Sequence, residues 1–306
     1  MRHVLDVFDL TPDEIEKVFE FSRELKERQL RGIRESLLPG RVVALLFEKP
    51  SLRTRVSFET AIAHLGGTSM FLGKDVGWGH RESTADFAQV LSQYVDVIVC
   101  RANAHRQVED LAQFSSCTVV NGLTDRAHPC QALADLFTIQ ERHGKLAGLK
   151  LAFLGDANNV SRSLAVAAAK TGMEFAIASP PAYRFDKAFL AQLHAAVPNV
   201  RLTVTDDPLA AARGAAAVYT DVWASMGQES EHAERVKAFA PFQVNARVMK
   251  QLAQDAIFLH CLPARRGEEV TSDVIDGPQS AVIQQAANRM HVQKGLLAWL
   301  LGAAVG

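Results

Sequence analysis

The sequence predicts an α/β fold of two Rossmann-like domains, each a parallel sheet flanked by helices, with the active site in the cleft between them. Three observations carry this. Short apolar runs alternate with amphipathic helical stretches along the whole chain. The alternation pauses at Gly144–Gly148 and then restarts. Polar and charged residues gather immediately after the apolar runs, where open parallel sheets place their ligands. A chain of 306 residues is long for one core, so two domains are expected: 1–143 completed by a C-terminal helix at 280–306, and 144–279. Hydrophobic content of 48% and charged content of 22% are those of a globular protein.

In order, Thr11-Pro12-Asp13-Glu14 is a capping box with proline at the first helical position, opening a helix to about Gln29. Val42–Phe47 reads as a buried strand that stops at Pro50, and Ser51 caps a helix running to about His64. Thr68–Leu72 is a strand, followed by a glycine-rich loop from Gly73 to Glu82 and a helix from Ser83 to about Tyr94. Val95–Cys100 forms a strand ending at Arg101, then come a short helix (Gln107 to Phe114) and a strand, Cys117–Asn121. Pro129 starts a helix to about His143, with Leu133, Leu136 and Ile139 facing inward. Beyond the break, strands are expected at Leu149–Leu154, Glu174–Ala178, Arg201–Thr205, Ala216–Thr220 and Ala256–Leu259. Helices are expected from Ser161 to Lys170, Lys187 to Ala195 and Ser280 to Leu301, and a polar insert spans Asp221 to Phe242.

Net charge is −1, which gives no global field for nucleic acid or an acidic membrane. Met1 leads into Asp6, Asp9 and a helix start, and the apolar run Gly295–Gly306 is too short to span a bilayer. The four cysteines lack Cys-x-x-Cys spacing, so neither a zinc site nor a disulfide framework is expected, and a reducing cytoplasm is the simplest compartment.

The chemistry concentrates at strand ends. Ser51–Arg55 brings helix-start amides, two hydroxyls and the cations Lys49, Arg53 and Arg55 into one volume suited to a phosphate dianion. A capped helix with solvated cations satisfies the same residues, and local chemistry leaves both readings open. Arg101, His128–Gln131, Gly155–Asn159, Asp221–Met226 and Cys261-Leu262-Pro263 also follow strands. Singly, Arg101 reads as a surface charge, His128 as a cap and Cys261 as a buried hydrophobe; together they favour a site. Gly155–Asn159 lacks the Gly-x-Gly-x-x-Gly spacing, which disfavours a nicotinamide dehydrogenase, and Asn158-Asn159 suit hydrogen bonding to polar substrate groups.

These motifs, with His260-Cys261-Leu262-Pro263, Asp221–Gly227 and Asn288-Arg289, resemble the aspartate/ornithine carbamoyltransferase family over essentially the whole chain, and its ornithine branch in particular. The resemblance implies a carbamoyl-phosphate-binding first domain and an ornithine-binding second. Carbamoyl phosphate would lie against Ser51, Leu52, Arg53, Thr54, Arg101, His128, Gln131, Cys261, Leu262 and Arg289. L-Ornithine would be held by Asn159, Asp221, Ser225 and Met226. Catalysis would fall to Arg101, His128, Cys261 and Asp221, with no cofactor, no metal and no covalent intermediate. A homotrimer or a multiple of trimers is implied, with a loop reaching a neighbour's site.

Two positions depart from the family pattern. Leu52 replaces the usual threonine, a change also found in relatives that use N-acylated ornithine. In Gly77-Trp78-Gly79-His80 a glycine stands where many members have glutamine, so that either Trp78, His80 or Arg81 makes the contact with a neighbour or the contact is missing, with interface packing the alternative for Trp78. The rival acceptors are N-acetylornithine, N-succinylornithine and putrescine. A rival of another class is a non-catalytic phosphate-metabolite-binding protein, disfavoured by the intact polar set.

Overall fold

The structure, a computed structural model, describes residues 2–34, 36–224 and 229–304. In chain order the elements are α1 (Pro12–Leu30), β1 (Val42–Phe47), α2 (Leu52–His64), β2 (Thr68–Leu72), α3 (Thr84–Leu91), β3 (Val97–Arg101), α4 (His105–Phe114), β4 (Thr118–Leu123) and α5 (Pro129–His143). They continue with β5 (Lys150–Leu154), α6 (Asn159–Lys170), β6 (Glu174–Ala178), α7 (Lys187–Ala196), β7 (Arg201–Thr205), α8 (Pro208–Ala212) and β8 (Ala217–Tyr219). The last are α9 (His232–Phe239), α10 (Ala246–Met249), β9 (Ile257–Leu259), α11 (Ser272–Ile275) and α12 (Val282–Leu300).

Contacts divide the chain into two compact units, Met1–Ala134 with Ala287–Gly306, and Asp135–Ala286. Both junctions fall inside helices, α5 and α12, rather than in glycine-rich connections.

In the first unit the sheet order is β2-β1-β3-β4, all parallel. β1 is buried from Val43 to Phe47 because both faces are covered, whereas β2 is an edge strand with Met70 and Phe71 exposed. The order reverses direction between β1 and β3, whose registers put Phe47 beside Arg101. That is the switch point at which connections leave in opposite directions and open a crevice at the strand ends.

In the second unit the order is β7-β6-β5-β8-β9, again all parallel, with its switch between β5 and β8. The insert after β8 is less polar in its role than its composition: Trp223, Phe239 and Phe242 are buried in the core with Leu154, Val218 and Phe258. Burying each such aromatic contributes roughly 1.5–3 kcal/mol, so these residues of the insert belong to the core. Arg235 of α9, itself buried, donates to the Trp223 carbonyl and pairs with Asp156, clamping the segment after β8 to the loop after β5.

Candidate active site

In the first unit the site begins with the helix start after β1. Ser51 is extended and its Oγ accepts from the Thr54 N–H at 3.3 Å, capping α2. The Ser51 hydroxyl also donates to Thr54 Oγ1 at 3.1 Å, and Arg289 of α12 donates to that oxygen at 2.9 Å. The same guanidinium donates to Gln131 Oε1 and reaches His128 Nε2 at 3.5 Å. Ser51, Thr54, Gln131, His128 and Arg289 thus form one connected group, although Arg289 is remote in sequence. Arginine only donates, so the ring accepts at Nε2 and carries its proton on Nδ1. Burial first, then Arg289 and Arg101, hold His128 well below the usual histidine range, so it is a neutral imidazole at pH 7.

Arg101, the last residue of β3, is buried beside this group. Its strand end is joined to β1 by Glu48, whose N–H donates to the Arg101 carbonyl at 2.9 Å. The Glu48 carboxylate accepts from the Asn103 backbone at 2.7 Å and from Gln107 at 2.8 Å. One acid therefore fixes the spacing of two strand-end loops, a positioning role that sequence reading missed. The loop carrying His128 is held by Asn121, which donates to the Leu5 and Ala127 carbonyls at 2.8 and 3.3 Å.

Not every cation of the motif joins the group. Arg53 is half-buried at the helix start, but Arg55 turns along α2 to Glu59 (2.9 Å) and stacks over Phe71 at 4.1 Å. The expectation that Arg55 faces an anion is corrected: an i,i+4 acid and an edge-strand aromatic claim it. Leu52 is 77% exposed, so its side chain is outside the group and only its backbone lies at the helix start.

The second unit gathers its own set at the ends of β5, β8 and β9. The Cys261 thiol donates to Asp221 Oδ1 at 3.1 Å. Asn158 Oδ1 caps α6, accepting from Val160 and Ser161 N–H at 3.0 and 3.1 Å, while its Nδ2 donates to Asp221 Oδ2 at 2.9 Å. Asn158, rather than Asn159, thus orients the acid; Asn159 is the first residue of α6, and its Oδ1 accepts from Val160 N–H at 3.0 Å. Burial and the Asp221 carboxylate push the Cys261 thiol well above its ordinary range, so the sulfur keeps its proton. Leu262 stands at φ 58, a left-handed conformation that is strained for leucine, with its N–H donating to His260 Nδ1 at 2.8 Å. His260 Nε2 in turn faces the buried Glu269 at 3.1 Å. Asp221, His260 and Cys261 bring ligand-type atoms within 4.8 Å of one another, but both imidazole nitrogens are spent on holding the loop. Ser225 and Met226 lie outside the described residues.

Residues 2–141 match the model for the carbamoyl-P binding domain of aspartate/ornithine carbamoyltransferase, and residues 147–300 match that for its Asp/Orn binding domain. The chain belongs to the aspartate/ornithine carbamoyltransferase family. Within that family it is 51% identical over 304 residues to the ornithine carbamoyltransferase of Carboxydothermus hydrogenoformans, covering 98% of each chain. It is 52% identical over 303 residues to that of Anoxybacillus flavithermus, covering 98% of this chain and 96% of the relative. The solved ornithine carbamoyltransferase of Pyrococcus furiosus superposes with a TM-score of 0.95 at 46% identity, over 99% of this chain and 98% of that one.

Against the family pattern, Gly77 has a backbone reason: at φ 73 any other residue is strained. Trp78 is buried within its own unit, tilted against Phe87 with ring centroids 6.3 Å apart. Its expected reach to a neighbouring subunit is therefore corrected to core packing. Trp78 and His80 both line a cavity of about 150 Å³ with Glu48, Lys74 and Asn103. Among the described residues, no helix is long and apolar enough to cross a membrane.

Proposed function

We propose that the chain transfers the carbamoyl group of carbamoyl phosphate to the δ-amino group of L-ornithine, giving L-citrulline and phosphate. The observation that carries this is the Cys261–Asp221 hydrogen bond, with Asn158 holding the other carboxylate oxygen. It presents an oriented acid and a protonated thiol, which suit an amine to be positioned and deprotonated. The donor is assigned to Ser51, Thr54, Gln131, Arg289 and the amides at the start of α2, with Arg53 and the Leu52 N–H, and with Cys261 and Leu262 completing its binding. Arg101 and the neutral His128 donate to the carbamoyl oxygen as it gains charge under attack. The neutral δ-nitrogen attacks the carbamoyl carbon, the bond to the phosphate oxygen breaks, and the surplus ammonium proton passes to Asp221 or the departing phosphate. A thiol that keeps its proton is a poor nucleophile, which supports direct attack without a covalent intermediate. Asn159, Ser225 and Met226 are assigned to ornithine.

The exposed Leu52 side chain supports free ornithine over N-acylated amines, since that departure leaves the polar group intact. We place the protein in a cytoplasmic homotrimer or multiple of trimers. Unpaired cysteines fit the compartment, and exposed Leu52, Val56, Met70 and Phe71 on α2 and the β2 edge fit an assembly face. Light scattering tests the assembly. Ureido-product formation measured across ornithine, N-acetylornithine, N-succinylornithine and putrescine tests the reaction. Ornithine is expected to dominate; preference for another amine, or phosphate release with none, refutes the assignment.

A further inference from the structure

One buried guanidinium joins three strand-end loops of the second unit. Arg235 of α9 is 4% exposed. Its Nε donates to the Trp223 carbonyl, in the segment after β8, and its Nη2 pairs with Asp156, in the loop after β5. The guanidinium stands over the ring of Tyr183, in the connection after β6, at 4.7 Å, and 5.5 Å from the ring of Phe239. Phe239 packs in turn on Tyr183 and Trp223, with ring centroids 4.7 and 6.2 Å away. The Tyr183 carbonyl closes the circuit by accepting from the Ala157 N–H at 3.0 Å. A second acid, Glu231, lies 3.5 Å from the guanidinium but is 55% exposed, so Asp156 is the stronger partner.

These contacts are in step with the Asn158–Asp221 hydrogen bond. Asp156 precedes Asn158 by two residues, and Trp223 follows Asp221 by two. Each end of that hydrogen bond therefore lies two residues from an atom that Arg235 holds. A lysine at this position can pair with Asp156, but it has no planar fork to reach the Trp223 carbonyl as well and no plane to lay on Tyr183. We propose that Arg235 is a positioning residue for use of the amine: it sets the spacing of the loops after β5 and β8 so that Asn158 reaches Asp221. This rests on the role given above to Asp221 in handling the amine. The residues that Arg235 holds are distinct from Ser51, Thr54, His128, Gln131 and Arg289, the connected group of the first unit.

The test is a double-mutant cycle of Arg235→Lys with Asn158→Ser, read as kcat/KM for ornithine, with carbamoyl phosphate affinity by titration calorimetry and Tm measured beside it. Arg235→Lys alone is expected to lower kcat/KM for ornithine about tenfold, the effect of one hydrogen bond from a charged donor, with carbamoyl phosphate affinity unchanged. In the Asn158→Ser background the bond that Arg235 positions is already gone, so the same change is expected to cost less than about threefold there. A purely structural clamp would weaken both substrates alike, and its effect would multiply with that of Asn158→Ser; either result, or no loss in Arg235→Lys, overturns the proposal. If Arg235→Lys does not fold, Asp156→Asn takes its place in the cycle. It leaves the guanidinium an acceptor, weakens the same clamp from the other side, and is expected to lower kcat/KM about fivefold; a loss that persists undiminished in Asn158→Ser overturns the proposal. Hydrogen–deuterium exchange of the substrate-free protein gives a readout that needs no amine. Peptides covering 155–162 and 219–224 are expected to exchange faster in the clamp variant and those covering 51–58 to be unchanged; unmoved exchange at the two loops overturns the proposal. Faster exchange there, with no citrulline formed by the wild type, would sink the functional reading alone. Citrulline formation by a clamp variant that matches the wild type would sink this one alone.

Discussion

Asn158 does two jobs with one side chain, and they can be separated. Its oxygen caps α6 and its nitrogen holds Asp221. Asn158→Ser keeps a good cap but removes the donor to the carboxylate; Asn158→Ala removes both. Loss of a cap costs about 1 kcal/mol, which lowers Tm by about 2–4 °C for a domain of this size. Loss of a hydrogen bond to a charged group costs about 1.5–3 kcal/mol, or roughly 10- to 150-fold if Asp221 must be held to receive the amine. The serine variant is therefore expected to lose roughly 10- to 150-fold in kcat/KM for ornithine, with carbamoyl phosphate affinity unchanged, and to melt above the alanine variant because it keeps the cap. The alanine variant adds the fall in Tm to the same kinetic loss. Citrulline formation under varied ornithine, with scanning fluorimetry beside it, measures both. A serine variant with wild-type kcat/KM would refute the claim that Asn158 orients Asp221.

Arg101→Ala is expected to cost ~2.7–4 kcal/mol of transition-state stabilisation, about 10²–10³ in turnover, if it binds the developing oxyanion; near-normal kcat would remove it from the chemistry. Leu52→Thr is expected to leave carbamoyl phosphate affinity and amine preference within about twofold, since that side chain is exposed and outside the hydrogen-bonded group; titration calorimetry and the amine panel check this. Lys294 is buried against the end of α1, donating to the Leu25 carbonyl at 3.2 Å and Gln29 at 2.8 Å, and burial lowers it to about 8 from 10.5. Between those two values the unfolded chain binds more protons than the folded one, so this residue makes stability rise with pH there. Lys294→Met is expected to flatten that rise in a comparison of Tm from pH 8 to 10.5, and an unchanged slope would exclude the residue.

Much of the fold was legible because parallel strands buried on both faces are continuous apolar runs. Val42–Phe47 and Glu174–Ala178 stand where their sequences place them. The failures are physical. α4 starts at His105, earlier than expected, because Ala104 offers no capping side chain; Gln107 and the distant Asp125 supply the acceptors instead. Asn158 looks like a ligand group because a helix cap and a ligand need the same amide. Arg55 carries the same charge as Arg53, and only its i,i+4 partner and Phe71 draw it elsewhere. The groups that touch a strand end were readable from position alone. The residues that steady them from behind were not, since Asp156 and Arg235 meet across 79 positions of sequence.

The make-up of the first unit has a bearing on biosynthesis. Arg289, which donates to Thr54, and the buried α12 residues Val292, Leu296 and Leu297 come from the far side of the second unit in sequence. A nascent chain that has emerged only as far as α5 holds Thr54 and Gln131 without the guanidinium that binds them, and exposes the apolar seat of α12. The part translated first can thus be completed only after the ribosome has passed residue 289. Chaperone dependence should fall sharply once α12 leaves the exit tunnel.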